Sequence, residues 1–462
     1  MKKVVLIGLP LVGQRFDPFG SIPAMPTSLP PLAAWLRERG LDVQVIDGFG
    51  ERPGRRFSPA PGLVARGLMP PEIVDRVPPG TDLVGVSVHS VAGDTVARET
   101  VAALRERLGV PVAVGGAHPG LMPDRFLEAG ATWVVRGEGE AGLARVLDGA
   151  APGLVEPGTV PDLDDLPLPD FEALPLQTYW DLGLGHGPVK GRHLDISTSR
   201  GCSQGCRFCA TPSLSRGRWC GMSPARVVEL MDRQVKRLGV SELHIEDDDF
   251  AADTDRVKRI CELILSRGLR VRLALPSGVR AAGLDVETVR LLAAAGCAYL
   301  SLAPESGSLR VLRAMRKDVD LDHLRTIAAE AVRSGMRVGC FVVVGFPGEG
   351  PEDRRCTGEL VDALVRAGVD DVSVFIWSPL PGAGAFGLER GYERLEQLCW
   401  TPRWRSGYGR YEGARLGLYS RVLSAMFRSR PLALARSAAR VLAGRYETKA
   451  EMTLSRMLRW RG

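Results

Sequence analysis

The sequence predicts an α/β chain in three parts: a doubly wound parallel-sheet domain, a partial six-stranded βα barrel, and a helical C-terminal region. Two series of alternating strand and helix signals, over residues 1–150 and 191–383, predict the two sheets. A segment rich in Pro, Gly and acidic residues, 151–190, separates them as a linker. The third observation is Cys202-x-x-x-Cys206-x-x-Cys209, set in a polar loop where the first strand of the second series ends.

A chain of 462 residues is long enough for two or three domains with full cores. Its 45% hydrophobic and 25% charged content are those of a globular protein. No run has the apolar length needed to span a bilayer, and the apolar stretch 4–9 after Lys2 and Lys3 is too short for a leader and reads as a first strand. All nine cysteines lie after residue 200, an odd number without a secretion signal, so free thiols in a reducing compartment and a cytoplasmic location are expected. The net charge of +6 is mild, but from Thr401 onward 14 Lys and Arg face 3 acidic residues. Such a tail could attract an anionic substrate, a membrane surface or nucleic acid; the interleaved apolar residues favour the solvated face of an amphipathic helix. No recognisable RNA-binding module accompanies it, which argues against a nucleic-acid partner.

In the first series the strands fall at 4–8, 43–47, 83–88, 112–116 and 133–136, and the helices at 29–39, 95–108, 125–129 and 139–147. Short apolar strands alternating with helices imply a parallel sheet covered on both faces. The ligand crevice of such a sheet lies beyond the carboxyl ends of its strands. Those ends are rich in glycine and small polar residues: Ser87 to Ser90, then Gly115, Gly116, Ala117 and His118, then Gly137, Glu138, Gly139 and Glu140. No Gly-x-Gly-x-x-Gly follows the first strand, so the dinucleotide fingerprint is lacking. In the second series the strands are 194–198, 243–247, 271–275, 299–302, 338–344 and 372–377. Ser223 as N-cap and Pro224 at the first helical position announce a helix to about Leu238. Active sites of parallel barrels sit at the C-terminal rim. The rim holds the cysteine loop, Asp247 to Phe250, Pro276 to Arg280, Pro304 to Gly307 and Gly345 to Glu349. Residues 384–462 read as helical, with aromatic turns around Trp400, Trp404, Tyr408 and Tyr411.

Three thiolates can hold a 4Fe-4S cluster by three corners and leave the fourth iron open for chemistry, whereas structural zinc and electron-transfer clusters normally take four protein ligands. The residues alone also allow thiols packed as small hydrophobes, or a zinc site completed by His193 or Cys220. With Phe208 just before its third cysteine, the trio resembles the signature of the radical S-adenosylmethionine (SAM) superfamily, and the rim segments resemble that barrel in order. The helix at 29–37, the strand at 82–88, and the loops 114–118 and 135–140 resemble the flavodoxin-like cobalamin-binding domain fused ahead of many such enzymes.

The resemblance implies a cobalamin-binding domain at 1–150, a radical SAM barrel at 191–383 and a substrate-side region at 384–462. It implies a 4Fe-4S cluster on Cys202, Cys206 and Cys209, with Phe208 near the adenine of SAM, Glu305 and Ser277 at its ribose or methionine end, and Gly345 allowing close approach. Asp247 and Asp248 would lie near the SAM ammonium. Many relatives read Gly-Glu-Glu where this chain reads Glu246, Asp247 and Asp248, so the contacting carboxylate is left open, and a capped turn is the other reading. Ser87, Ser90, Gly115, Gly116, His118, Gly137 and Glu138 would line the cobalamin site. The Asp-x-His-x-x-Gly signature is absent and residues 9–25 contain no histidine, so cobalamin without a histidine lower ligand is expected; His118 reads as a turn residue or pocket wall. Arg316 and Lys317 read as a helix C-terminal dipole partner or solvated surface, and His244 and His323 as structural.

The implied activity is a cobalamin-dependent radical SAM methyltransferase acting on an unactivated carbon of a small molecule of specialised or lipid metabolism, supplied with electrons by a donor such as flavodoxin or ferredoxin. In it a 5′-deoxyadenosyl radical takes hydrogen from the substrate, and a cobalt-borne methyl group follows. A cyclase, oxidase or ring-rearranging enzyme with the same cofactors is the neighbouring alternative. An iron-sulfur or cobalamin-binding protein without catalysis is the distinct one.

Overall fold

Each of the two strand series folds into its own six-stranded, wholly parallel sheet in the computed structural model, which describes residues 2–15, 17–156 and 162–459. Residues 157–161 of the expected linker lie outside the described residues. The chain divides into two compact units.

The first unit comprises Met1–Leu182 with the short segments Ser213–Arg216 and Tyr392–Cys399. Its strands are β1 (Lys3–Gly8), β2 (Asp42–Asp47), β3 (Leu83–Ser87), β4 (Val112–Gly115), β5 (Trp133–Val135) and β6 (Gly153–Val155), in the order β2-β1-β3-β4-β5-β6. Successive residues of β1, Val4 to Ile7, are all at most 1% exposed, which only a sheet covered on both faces can achieve. Val101 and Leu104 of the helix Asp94–Leu108, with Phe126, close one side. The order reverses at β1, so the crevice opens between the carboxyl ends of β1 and β3, where Gly8 and Ser87 are register partners. The sequence reading missed β6 and a small antiparallel sheet of Leu11–Gln14, Arg56–Phe57 and Leu63–Arg66, short segments whose few apolar residues are bounded or broken by Gly, Gln and Arg.

The second unit comprises Gly183–Pro212, Gly217–Gly391 and Trp400–Gly462. Its strands are β7 (His193–Ile196), β8 (Glu242–Ile245), β9 (Arg272–Val279), β10 (Cys297–Glu305), β11 (Arg337–Val344) and β12 (Asp371–Ile376), paired in chain order. Sequential parallel pairing with helical crossovers makes an open partial barrel. One face is aliphatic: Leu194, Ile196, Leu243, Ile245, Leu300, Val338, Val374 and their neighbours are at most 2% exposed. The inner face alternates with it and carries His193, Asp195, Glu242, His244, Glu246, Tyr299, Ser301, Phe341 and Asp371.

The capped helix forms as expected: it spans Pro224–Leu238, the Ser223 hydroxyl accepts from the Arg226 amide, and Gly239 ends it. Strands β9 and β10 run further than their apolar cores, to Val279 and Glu305, with register shifts after Leu275 and Leu302. The prolines 276 and 304 have no N–H to offer a ladder, and the strands continue past them only irregularly. The helical expectation for 384–462 holds from Tyr408 on, in the helices Tyr408–Ser429, Pro431–Leu442 and Lys449–Arg459; before that the chain makes two short 3-10 turns. Among the described residues, no helix is long and apolar enough to cross a membrane.

Candidate active site

Strand β7 ends at Ile196, and the chain then forms a short ribbon, Ser199–Gly201 paired with Trp219–Gly221, that carries the cysteine loop. Three consecutive aspartates after β8 hold this loop. The carboxylate of Asp247, 4% exposed, accepts from the Thr198 amide and hydroxyl, both at 2.6 Å, and from the Ser199 hydroxyl at 2.7 Å. Burial nevertheless raises its pKa against these donors. Asp248 accepts from the Gly201 amide at 3.2 Å and the Thr211 hydroxyl at 3.1 Å. Asp249 pairs with Arg280 at 3.1 Å and accepts from the Cys202 thiol at 3.8 Å. Neither helix capping nor a free acidic rim describes these side chains: they fasten the loop.

On its other side the loop is bonded through its backbone. The Arg207 amide donates to Met315 O at 2.8 Å, and Arg207 O accepts from Ala385 N at 2.7 Å. Phe208 packs against a buried cluster that includes Val311, Met315, Val343, Phe346 and Trp377. Glu305, at the end of β10, is 6% exposed and has φ +62, a left-handed backbone that costs a non-glycine residue about 1–3 kcal/mol and tends to mark functional positions. Its partner is Lys317, at 3.3 Å, whose ammonium also lies 5.9 Å from the Phe208 ring. The sequence placed Lys317 on the surface; its side chain is only 9% exposed, because Arg316 takes a left-handed φ of +52 and turns the next residue inward. Arg316 itself is exposed at the helix end, as expected.

Gly345 follows β11 with φ +77, and a Cβ there would meet the Tyr411 ring at 2.8 Å. Its carbonyl accepts from Arg405, which also binds Trp377 O and lies 4.2 Å from the Tyr411 ring. The aromatic turns of the C-terminal region therefore close over this rim position.

Deeper on the inner face, Glu246 accepts from Ser277 and bonds His186 Nδ1 at 2.6 Å. Burial would raise its pKa, but His186 and these bonds bring it down to about 2. Lys449 enters from the last helix and donates to Pro276 O at 2.6 Å; burial lowers its pKa to about 8. Asp371, fully buried beside Lys449 and Tyr299, is raised to about 6 by burial. His193, offered as a fourth zinc ligand, sits at the start of β7, away from the cysteines, with its ring 5.2 Å from that of His244. The zinc reading through His193 is thereby overturned. His323 bonds the carbonyls of Ala281 and Leu284, a structural role as read.

In the first unit, Ser87, Gly115 and Val135 are adjacent register partners at the carboxyl edge, with Gly116 and Gly137 just beyond. Gly116 is exposed at φ +108, and a Cβ there would strike Val88 O at 2.6 Å. Ser90 is exposed and caps a short 3-10 turn; Glu138 precedes the helix Gly139–Leu147. The His118 ring is fully enclosed, bonded to Asp94 at 2.8 Å and edge-on to Phe126, so this loop presents backbone rather than imidazole. His89, passed over in the sequence, is exposed on the loop after β3.

Cys202, Cys206 and Cys209 are part-exposed on one loop and lie close enough to interact electrostatically. Burial, Asp249 and the other two thiols raise Cys202 to about 11. Burial likewise raises Cys206, opposed by Lys317. Three such thiols gain most from a cationic group that displaces their protons together, which a 4Fe-4S cluster does. The donor set fits the cluster. The exposed, side-chain-free edge at Gly116 and Gly137 fits a flat corrin, to which only backbone without a Cβ can come close.

Residues 196–361 match the Radical SAM superfamily and residues 25–147 the B12 binding domain. Over 403 residues the chain is 26% identical to the uncharacterized methyltransferase PH0819 of Pyrococcus horikoshii, covering 82% of this chain and 81% of that protein. Over 442 residues it is 26% identical to the cytidylyl-2-hydroxyethylphosphonate methyltransferase of Streptomyces wedmorensis, covering 83% and 81%. Its fold is similar to the radical SAM methyltransferase TsrM of Kitasatospora setae, solved with cobalamin and a [4Fe-4S] cluster, with a TM-score of 0.65 at 19% identity over 84% of this chain and 74% of that one. A B12-binding domain followed by a radical SAM barrel with its three cysteines places the chain in the cobalamin-dependent radical SAM enzymes, with 4Fe-4S, SAM and cobalamin as cofactors.

Proposed function

We propose that the protein is a methyltransferase that places a methyl group on an unactivated carbon of a polar small molecule. The inner face of the barrel carries the reading: Glu246, His186, Ser277, Lys449 and Asp371 gather there, a lining that suits hydrogen-bonding substrate groups and would waste a hydrocarbon chain. Both relatives named above carry the name methyltransferase, one of them for a cytidylyl phosphonate, which supports the same class.

In this reading Cys202, Cys206 and Cys209 hold the cluster, with Phe208, Gly345, Ser277 and Glu305 around SAM. Of the acidic run after β8, Glu246 is the carboxylate that faces the barrel interior, while Asp247 and Asp248 keep the loop in place. Ser87, Ser90, Gly115, Gly116, Gly137, Glu138 and the backbone at His118 take the corrin. When bound, the cluster supplies one-electron reduction of SAM and the corrin supplies a transferable methyl group. The protein's own task is placement: Lys317 balances Glu305, the aspartates fix the loop, and the aromatic residues at Gly345 keep water from the rim.

The test uses anaerobically reconstituted full-length enzyme with methyl-labelled SAM, a chemical reductant and polar candidate substrates. Equal formation of 5′-deoxyadenosine and S-adenosylhomocysteine, with label in the product, is expected. 5′-Deoxyadenosine without S-adenosylhomocysteine would select a rearrangement or oxidation instead. Reductive SAM cleavage that survives replacement of all three cysteines by Ala would end the proposal.

A further inference from the structure

We propose that the barrel interior holds a second metal site, separate from the cysteine loop, in which Asp195, His244 and Glu246 bind one divalent first-row cation. One ligand atom from each of these residues lies within 4.8 Å of the others. The frame is rigid: Asp195 and His244 are register partners on β7 and β8, and Glu246 lies two residues beyond His244 on the same face.

The imidazole supplies the decisive observation. His244 is 0% exposed, and its Nε2 lies 3.1 Å from the Glu242 carboxylate, which is itself held by Arg272 and the Lys190 amide. Donation of the Nε2 proton to Glu242 leaves Nδ1 a bare lone pair, the orientation that a carboxylate imposes on metal-binding histidines. That lone pair faces Asp195 Oδ1 at 3.5 Å and has no hydrogen-bond partner. A buried lone pair opposed by carboxylate oxygens is repulsive unless a cation stands between them. A proton on Nδ1 would gain an ion pair with Asp195 but no normal N–H···O bond at 3.5 Å, whereas a metal ion would take the lone pair and the carboxylate oxygens together. Glu246 adds a second orphan: its Oε2 is occupied by His186 and Ser277, but its buried Oε1 has no hydrogen-bond partner.

A Cβ added to Gly187 would lie 3.5 Å from His244 Nδ1, 3.4 Å from Cε1 and 3.1 Å from Pro276 Cβ, so alanine there would crowd that edge of the ring. Two carboxylates and one imidazole suit Mn²⁺, Fe²⁺ or Zn²⁺. With three protein ligands, the ion keeps open positions toward the inner face, where it can serve as a Lewis-acidic anchor for an anionic substrate group.

Mn²⁺ is the probe, because its free ion is counted directly by electron paramagnetic resonance. Full-length protein with Cys202, Cys206 and Cys209 replaced by Ala removes the iron background and is expected to bind one equivalent, displaced by Zn²⁺. In that background His244→Gln and Asp195→Asn should each abolish stoichiometric binding, and Glu242→Gln should weaken it about 10–100-fold. Gly187→Ala retains all three ligands and should lower affinity at least tenfold, which keeps the test intact if a ligand variant fails to fold. The proposal is overturned if the cysteine-free protein binds no stoichiometric Mn²⁺ or Zn²⁺, or if folded His244→Gln, Asp195→Asn or Gly187→Ala binds as its parent does.

Discussion

Replacing Asp247 separates a residue that fastens the cysteine loop from one that touches SAM. The structure gives its carboxylate three buried donors, the Thr198 amide, the Thr198 hydroxyl and the Ser199 hydroxyl, all within 2.7 Å. In Asp247→Ala the two hydroxyls can rotate toward other acceptors, but the amide cannot. One stranded buried amide costs about 1–3 kcal/mol, and the lost charge-assisted bonds bring the total to about 2–4 kcal/mol. For a unit of this size that corresponds to a Tm roughly 4–8 °C lower. Asp247→Asn keeps one oxygen for the amide and should lose less than half as much. The assay is a pair of measurements on anaerobic full-length protein: the melting curve, and iron and sulfide per chain after reconstitution. Both should fall together for Ala and only slightly for Asn. Unchanged melting and iron content in Asp247→Ala, with a KM for SAM raised tenfold or more, would refute the loop-fastening role and restore a direct contact with the ammonium.

Gly345→Ala meets both a left-handed backbone and the Tyr411 ring at 2.8 Å, so thermal unfolding should show a loss of about 1–3 kcal/mol; Tyr411→Ala should relieve part of it in the double variant. Asp371 carries a pKa of about 6 when folded against 3.8 for the ordinary group. Between pH 4 and 6 the unfolded chain therefore releases a proton that the folded chain keeps, and this residue's contribution to stability falls as pH rises. Asp371→Asn should gain on the parent over that interval in melting curves taken at stepped pH, and parallel curves would contradict it. Cob(II)alamin bound to the protein should show no nitrogen superhyperfine splitting from a histidine in its paramagnetic resonance spectrum. The His118 ring is enclosed, so such a splitting that vanished in His89→Ala would identify the overlooked exposed histidine as the ligand and overturn the expectation.

Much of this was legible in the sequence because it rests on local chemistry. The cysteine spacing, the Ser223 and Pro224 start of a helix, and the apolar runs of both sheets each depend on a few neighbouring residues, and the structure realises all of them. What escaped depends on where side chains point. Three aspartates in a row look alike, but alternation along the chain after β8 sends Glu246 to the barrel interior and Asp247 to the Thr198 backbone. Lys317 looks like a helix-end surface lysine until the left-handed Arg316 turns it beneath Phe208. His244 read as structural because a histidine in a strand usually is; the carboxylates beside it come from β7 and from both sides of it on β8, a pairing no single segment displays. The small antiparallel sheet was invisible because its short strands, such as Leu11–Gln14 and Arg56–Phe57, carry too few consecutive apolar residues to stand out from loop.

Cys202, Cys206 and Cys209 alone are expected to hold the cluster, with one iron left for SAM. This is checked by electron-nuclear double resonance of the reduced cluster in full-length protein, with SAM labelled at its amino nitrogen and carboxylate oxygens. Coupling of both labels to a single iron is the predicted result. A reduced cluster indifferent to labelled SAM, or a centre that holds zinc in place of iron, would contradict it.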